Sequence, residues 1–278
     1  MAVSRTNIVT GLISLFYLLS LSASAAEPEI RLGSVAMDIP TEMHRRLTPL
    51  THYLSETLNR PVSLKLAKNM QEAIKDVAES TVEIAYLTPV AYIKSQKLGQ
   101  TRLVVKTVTN GQGSFKLMIV VKDDSPIKTV NDLKGKSFAF GDSAALLQRA
   151  VVVGSGIKLE SLGSYKFLGH YDNIVRAVMH GEFDAGILKD TKAYKWKGKG
   201  IRIIYTSDEL PPYNITASQN IDDKLLIQIQ DAFLKLDPGN IEHRKIIKAL
   251  DKKYDGFART SDAEYDIVRK LVAPFTEQ

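Results

Sequence analysis

Apolar residues recur along the chain in two rhythms, short continuous or alternating runs and longer stretches with apolar positions three and four apart, and each rhythm predicts its own element. The run IRLGSV (Ile30 to Val35) predicts a strand, and Leu47, Leu50, Leu54 and Leu58 behind it predict a helix. Pro61 to Ala67 alternates as a strand, Met70 to Ser80 reads as a polar helix, and Val82 to Leu87 is a short buried strand. Thr88-Pro89 follows directly. A hydroxyl cap with proline at the first helical position predicts a helix from there to about Leu98.

Thr101 to Thr109 and Phe115 to Lys122 read as strands on either side of the turn NGQG. Val130 to Asp142 encodes a short capped helix, a glycine stop and a buried strand, after which Ser143 is expected to cap a helix ending near Gly154. Ser164 to Gly169 predicts a strand, and Ile174, Val175, Val178 and Met179 form the apolar stripe of the helix behind it, with Gly181 as its stop. Strands at Phe183 to Leu188 and Ile201 to Thr206 flank a partly helical lysine-rich stretch. Helical spacing then fills Ile221 to Leu236, Ile241 to Tyr254 and Ser261 to Phe275, with Pro238-Gly239 as a break. Repeated strand–helix units imply an α/β protein with mostly parallel sheets covered on both faces.

The first 25 residues carry Arg5 as their only charge, an apolar run from Ile8 to Leu21, and small residues at Ala23 and Ala25. This pattern reads as a secretory signal peptide over residues 1–25, cut before Ala26, because the run is shorter than the ~20 residues that span a bilayer. The expected destination is the periplasm. The 278 residues include no cysteine, which excludes disulfides, thiolate metal sites and cysteine nucleophiles.

Charge is unevenly placed. Lys122 to Tyr205 holds 14 Lys and Arg against 9 Asp and Glu, whereas residues 26–121 and 206–278 together are balanced. The densest run, Lys189 to Arg202, has six basic residues against Asp190 alone. A middle block of different charge, entered by one strand and left by another, predicts two lobes: residues 26–121 with 206–278, and an inserted basic lobe at 122–205. Two strands then form the hinge. A basic lobe favours an anionic partner, and the export signal with few interleaved aromatics argues against nucleic acid.

In such folds ligands sit beyond the carboxyl ends of strands, where helix N-termini point free amides. Thr88, Ser143 and the run Tyr171-Asp172-Asn173 stand at three such positions, and converging N-termini suit an anion. Lys189, at the end of its strand, is a candidate counter-charge. His44, His52, His180 and His243 show no metal-ligand spacing, and no G-x-S-x-G, HExxH or phosphate-binding glycine loop is present. Neither a metal, a cofactor nor catalysis is expected.

The runs VEIAYLTPVAYI, DLKGKSFAFGD, LGHYDNIVRAVMHGEFDAGILKD and IYTSDELPPY resemble the periplasmic solute-binding proteins of the phosphate, phosphite and phosphonate ABC-transporter family. The resemblance implies the two-lobed type II periplasmic binding protein fold, a monomer with its ligand cleft between the lobes, and an ABC-transporter permease as membrane partner. It further implies contacts at Tyr86, at Ser143, at His170 or Tyr171, and at Tyr213. Some members place an acidic residue at the last position for an amino group; this chain has tyrosine. A ligand-sensing module acting in trans on a membrane histidine kinase is the alternative use of the same clam-shell.

Overall fold

The computed structural model describes residues 27–34 and 39–275. The expected signal peptide lies outside them. Among the described residues the chain builds two sheets. The first contains β1 (Ile30–Ser34), β2 (Val62–Leu66), β3 (Ile84–Leu87), β4 (Arg102–Thr109), β10 (Asn214–Ala217) and β11 (Tyr254–Ala258), in the order β11-β4-β10-β3-β1-β2. The second contains β5 (Leu117–Lys122), β6 (Ser137–Phe140), β7 (Ser164–Phe167), β8 (Ala185–Lys189) and β9 (Ile201–Thr206), in the order β7-β6-β8-β5-β9.

Each sheet is covered on both faces, as the apolar patterning requires. Met43, Leu47, Leu50 and Leu54 of α1 (Pro40–Leu58) share a core with Ile30, Leu32 and Ile215 of the first sheet. Helices α7 (Asp223–Leu234) and α8 (Ile241–Leu250) close that core through Ile229, Phe233 and Leu250. The opposite face, at Ala85 and Leu87, packs on Ile74 and Val77 of α2 (Met70–Ala78) and Ala91 of α3 (Pro89–Gly99). In the second sheet the period of two divides β5. Leu117, Ile119 and Val121 join Val151 and Val152 of α4 (Leu146–Gly154), while Met118 and Val120 join Ile174 and Val178 of α5 (Tyr171–Met179) and Ala193 of α6 (Asp190–Trp196).

The sheets are mixed rather than mostly parallel. β2, β1 and β3 run parallel, but β10, β4 and β11 pair antiparallel; in the second sheet β7, β6 and β8 are parallel and β5 is antiparallel to β8 and β9. The crossings account for β5 and β10, each of which enters its sheet from the other one and so runs opposite to its neighbours, while β11 adds a further antiparallel pair at the edge beside β4. β5 lies wholly in the second sheet, whereas the division expected at Lys122 leaves all but its last residue in the first lobe. The crossings are residues 110–116 and 207–213. They bond to each other midway, Phe115 N–H to the Leu210 carbonyl at 3.0 Å and Leu210 N–H to the Phe115 carbonyl at 2.8 Å.

The C-terminal helix α9 (Asp266–Val272) joins the core of the second lobe through Val268 and Val272, beside Val151 and Phe140. Tyr265, just before it, packs edge-on to Tyr92 of α3 at 4.7 Å. The tail therefore touches both lobes.

Candidate functional site

The carboxyl ends of β3, β6 and β7 meet across a cleft of about 260 Å³ between the sheets. The first lobe contributes Met70, Thr88, Pro89 and Val90, the two crossings contribute Phe115 and Tyr213, and the second lobe contributes Leu117, Asp142, residues 144–148 and Tyr171, so that one carboxylate stands in the lining.

Thr88 stands where the sequence places it. Its Oγ1 accepts from the Ala91 N–H at 3.1 Å, Pro89 opens α3, and the residue lines the cleft. Tyr213 lies on the second crossing and stacks on Tyr86, with ring centroids 5.3 Å apart and planes 28° from parallel. Tyr86 itself is fully buried and does not line the cleft; its hydroxyl meets that of Tyr254 at 2.6 Å. Between His170 and Tyr171 the structure distinguishes clearly. Tyr171, the first residue of α5, lines the cleft, and His170 is exposed outside it.

Burial pushes the phenols of Tyr171 and Tyr213 up to about 12, and that of Tyr86 well above 10. These hydroxyls keep their protons at neutral pH and can donate hydrogen bonds.

Ser143 does not cap α4. Asp142 takes that turn instead: its Oδ1 accepts from the Ala144 N–H at 2.8 Å and its carbonyl from the Ala145 N–H at 3.0 Å. The helix then starts at Leu146, with Ala145 at the cap position and no side-chain bond there. Ser143 is exposed, and its carbonyl accepts from the Arg149 guanidinium at 3.2 Å. Asp172 and Asn173 also lie off the cleft. Asp172 pairs with Lys192 at 2.7 Å, which holds its carboxyl below the usual range, and Asn173 donates to the Leu168 carbonyl at 2.8 Å.

Gln148 is the residue that sequence reasoning missed. It is 6% exposed; its Oε1 accepts from the Gly141 N–H at 2.8 Å, and its Nε2 donates to the Tyr171 hydroxyl at 3.3 Å. A Cβ on Gly141 would come within 2.8 Å of that Nε2, so glycine is what lets the amide close on the strand end. One signal was available. An amide in the apolar run LLQRAVVV must find partners when its face is buried.

The cleft lining contains no Lys, Arg or His. Lys189 lines a second, polar cavity of about 290 Å³ with Ser114, Asp190 and Thr191. Its ammonium lies 4.8 Å from the centroid of the Phe115 ring, and Phe115 lines the first cavity. Burial lowers the Lys189 pKa, against the opposing pull of Asp190.

Residues 32–265 match the family described as "ABC transporter, phosphonate, periplasmic substrate-binding protein". Among solved structures, XAC2383 from Xanthomonas citri bound to ATP is similar with a TM-score of 0.73 and 16% identity, covering 90% of this chain and 97% of that one. PhnD1 from Prochlorococcus marinus in complex with methylphosphonate gives a TM-score of 0.68 at 15% identity over 90% of this chain and 99% of that one. A binding protein component of an ABC phosphonate transporter from Pseudomonas aeruginosa gives 0.64 at 18% identity over 88% and 85%. At these identities the likeness is one of fold.

Proposed function

This chain belongs to the periplasmic substrate-binding proteins of phosphonate ABC transporters, and from that premise we propose that it captures a phosphate-like or phosphonate-like oxyanion between its lobes and hands it to a membrane permease. The family is one of solute-binding transport components rather than enzymes, and its place is the periplasm. Residues 1–25 would direct export there as a cleaved signal.

The observation that carries the reading is a set of neutral hydrogen-bond donors drawn onto one cleft, Thr88 from the first lobe, Tyr213 from the second crossing, and Gln148 and Tyr171 from the second lobe, with Asp142 as the one acidic residue of the lining. Donors fixed in place can replace the water an oxyanion loses on entry, and in a half-dry cleft each such bond is stronger than in water. Lys189, beyond Phe115, would add a positive field without touching the solute directly. We take the lobes as residues 27–109 with 214–275, and 117–206. Closure would bend the paired crossings at Phe115 and Leu210, and the closed form would be what the permease recognises.

A thermal-shift screen of phosphate, phosphite, sulfate and a set of organophosphonates tests this. A solute at 100 times its dissociation constant stabilises by about 2.7 kcal/mol, which at this size raises the melting temperature by roughly 5–10 °C. Shifts with oxyanions only are expected. A shift with a neutral or cationic solute, and none with any oxyanion, overturns the proposal.

A further inference from the structure

We propose that the solute is an organic phosphonate with an apolar substituent of at least three carbons, and that the N-terminal end of α4 holds this substituent rather than the anion. The inference rests on the cleft being the solute site and says which part of it meets which part of the solute.

Two features of α4 carry the argument. The first is that its start has little left to offer an anion. Ala145 at the cap position brings no hydroxyl, and the Leu146 and Gln148 amides are already bonded to the Ala144 and Ala145 carbonyls at 2.9 and 3.2 Å. Ser143, the one hydroxyl of the segment, is exposed and is not among the residues that line the cleft. The second is what stands there instead. Ala144, Ala145, Leu146 and Leu147 line the cleft together with Val90, Met70, Phe115 and Leu117. Water against such a wall is displaced favourably by carbon and unfavourably by a charged oxygen.

One donor, Gln148, shares the first turn of α4 with this wall, the others come from other segments, and Asp142 adds a carboxylate to the lining. Thr88, Tyr171, Tyr213 and the amide of Gln148 supply the polar contacts, and Lys189 lies beyond Phe115. The cavity, about 260 Å³, is lined for the most part by apolar side chains, so an inorganic oxyanion held by the few donors would leave much of the apolar wall uncovered. A phosphonate head among the donors, with its carbon chain along α4, covers both.

Calorimetric titration with phosphate and with methyl-, ethyl-, propyl- and phenylphosphonate at one pH and ionic strength reads this directly. Each methylene buried is expected to tighten binding about fourfold from methyl to propyl, with phosphate the weakest ligand. A flat series, or phosphate as the tightest ligand, overturns the inference while leaving oxyanion capture in place. Absence of binding by the whole series overturns both. The Leu146→Gln variant, on the half-buried first turn of α4, should reduce the ratio of phenylphosphonate to methylphosphonate affinity about tenfold. The isosteric Val90→Thr, which places a hydroxyl on the same apolar lining, should reduce it several-fold and serves where Leu146→Gln does not fold. An undiminished ratio in the folded variant sinks the assignment of the substituent to this wall.

Discussion

The hydroxyls of Tyr86 and Tyr254 meet at 2.6 Å inside the first lobe, 168 residues apart in sequence, directly behind the ring of Tyr213 that faces the cleft. Tyr86 is 1% exposed and Tyr254 7%, so neither hydroxyl has water to fall back on. Tyr254→Phe is expected to cost about 1–3 kcal/mol in chemical denaturation by orphaning its partner, and the double variant Tyr86→Phe/Tyr254→Phe to recover much of that loss. Additive losses would show that the two hydroxyls are not a pair.

Gln148→Glu and Ser143→Asp each place one carboxylate near the start of α4, and they should behave oppositely. Glutamate can still accept from the Gly141 N–H but loses the donor to Tyr171 and sets a negative charge on the cleft. Like charges near 4 Å cost between ~1 kcal/mol in bulk water and ~4 kcal/mol at an effective dielectric of 20, so phosphonate affinity should fall at least about fivefold by calorimetry. Ser143→Asp, on an exposed side chain, should change it less than about twofold. The reverse outcome would move the site to the other side of the loop.

Lys189 forms no ion pair among the described residues, and its ammonium rests over the Phe115 ring at 4.8 Å. Lys189→Met should weaken phosphonate binding several-fold and remove part of its salt dependence, because a long-range attraction is what added ions screen. Titrations of both proteins at low and high ionic strength decide it; parallel salt slopes would make Lys189 a spectator.

Asp262 links the tail to α3, accepting from the Tyr92 hydroxyl at 2.6 Å and from Arg269 at 2.5 Å. Burial works to raise its pKa, but the bonds from Arg269 and Tyr92 outweigh it and hold the carboxyl below its ordinary value. A depressed folded pKa contributes stability that is present above the unfolded value, about 3.9, and is lost as pH falls through the folded one. The stability gap between wild type and Asp262→Asn should therefore be constant from neutral pH to about pH 5 and close below pH 4, as followed by urea titration. A gap that widens in acid would contradict the pairing.

Much of the scaffold was legible because its signals are local. Thr88-Pro89 starts α3, the leucine stripe builds α1, and β5 is apolar on both faces as a doubly covered strand must be. β10 and β11 escaped for opposite reasons. Asn214–Ala217 is four residues of NITA behind two prolines, with Asn214 and Thr216 fully buried, and it reads as loop; only its neighbours β3 and β4 make it a strand. Tyr254–Ala258 follows a helical pattern and carries Gly256 at φ 139°, a backbone other residues rarely adopt, where the register with β4 shifts. In the cleft, Thr88 and Tyr171 stood out as starts of helices, and Tyr213 only through the family resemblance; all three line the cavity. Gln148 was not legible, because its partners, Gly141 and Tyr171, are chosen by the fold and not by spacing. Ser143 misled because serine caps helices so often, while Asp142 one place earlier had already turned the chain.

The docking of α9 on the second lobe also has a meaning in time. Residues 117–206 are contiguous and could be mistaken for a unit that folds as soon as it is made, yet their core is finished by Val268 and Val272, and the first sheet waits for β10 and β11. Neither half of the molecule is complete until the end of the chain arrives, so the usual order of N-terminal domain first does not apply. The two lobes should melt together as one cooperative transition, and removal of residues 266–275 should unsettle the second lobe, whose core they complete, before it disturbs the first.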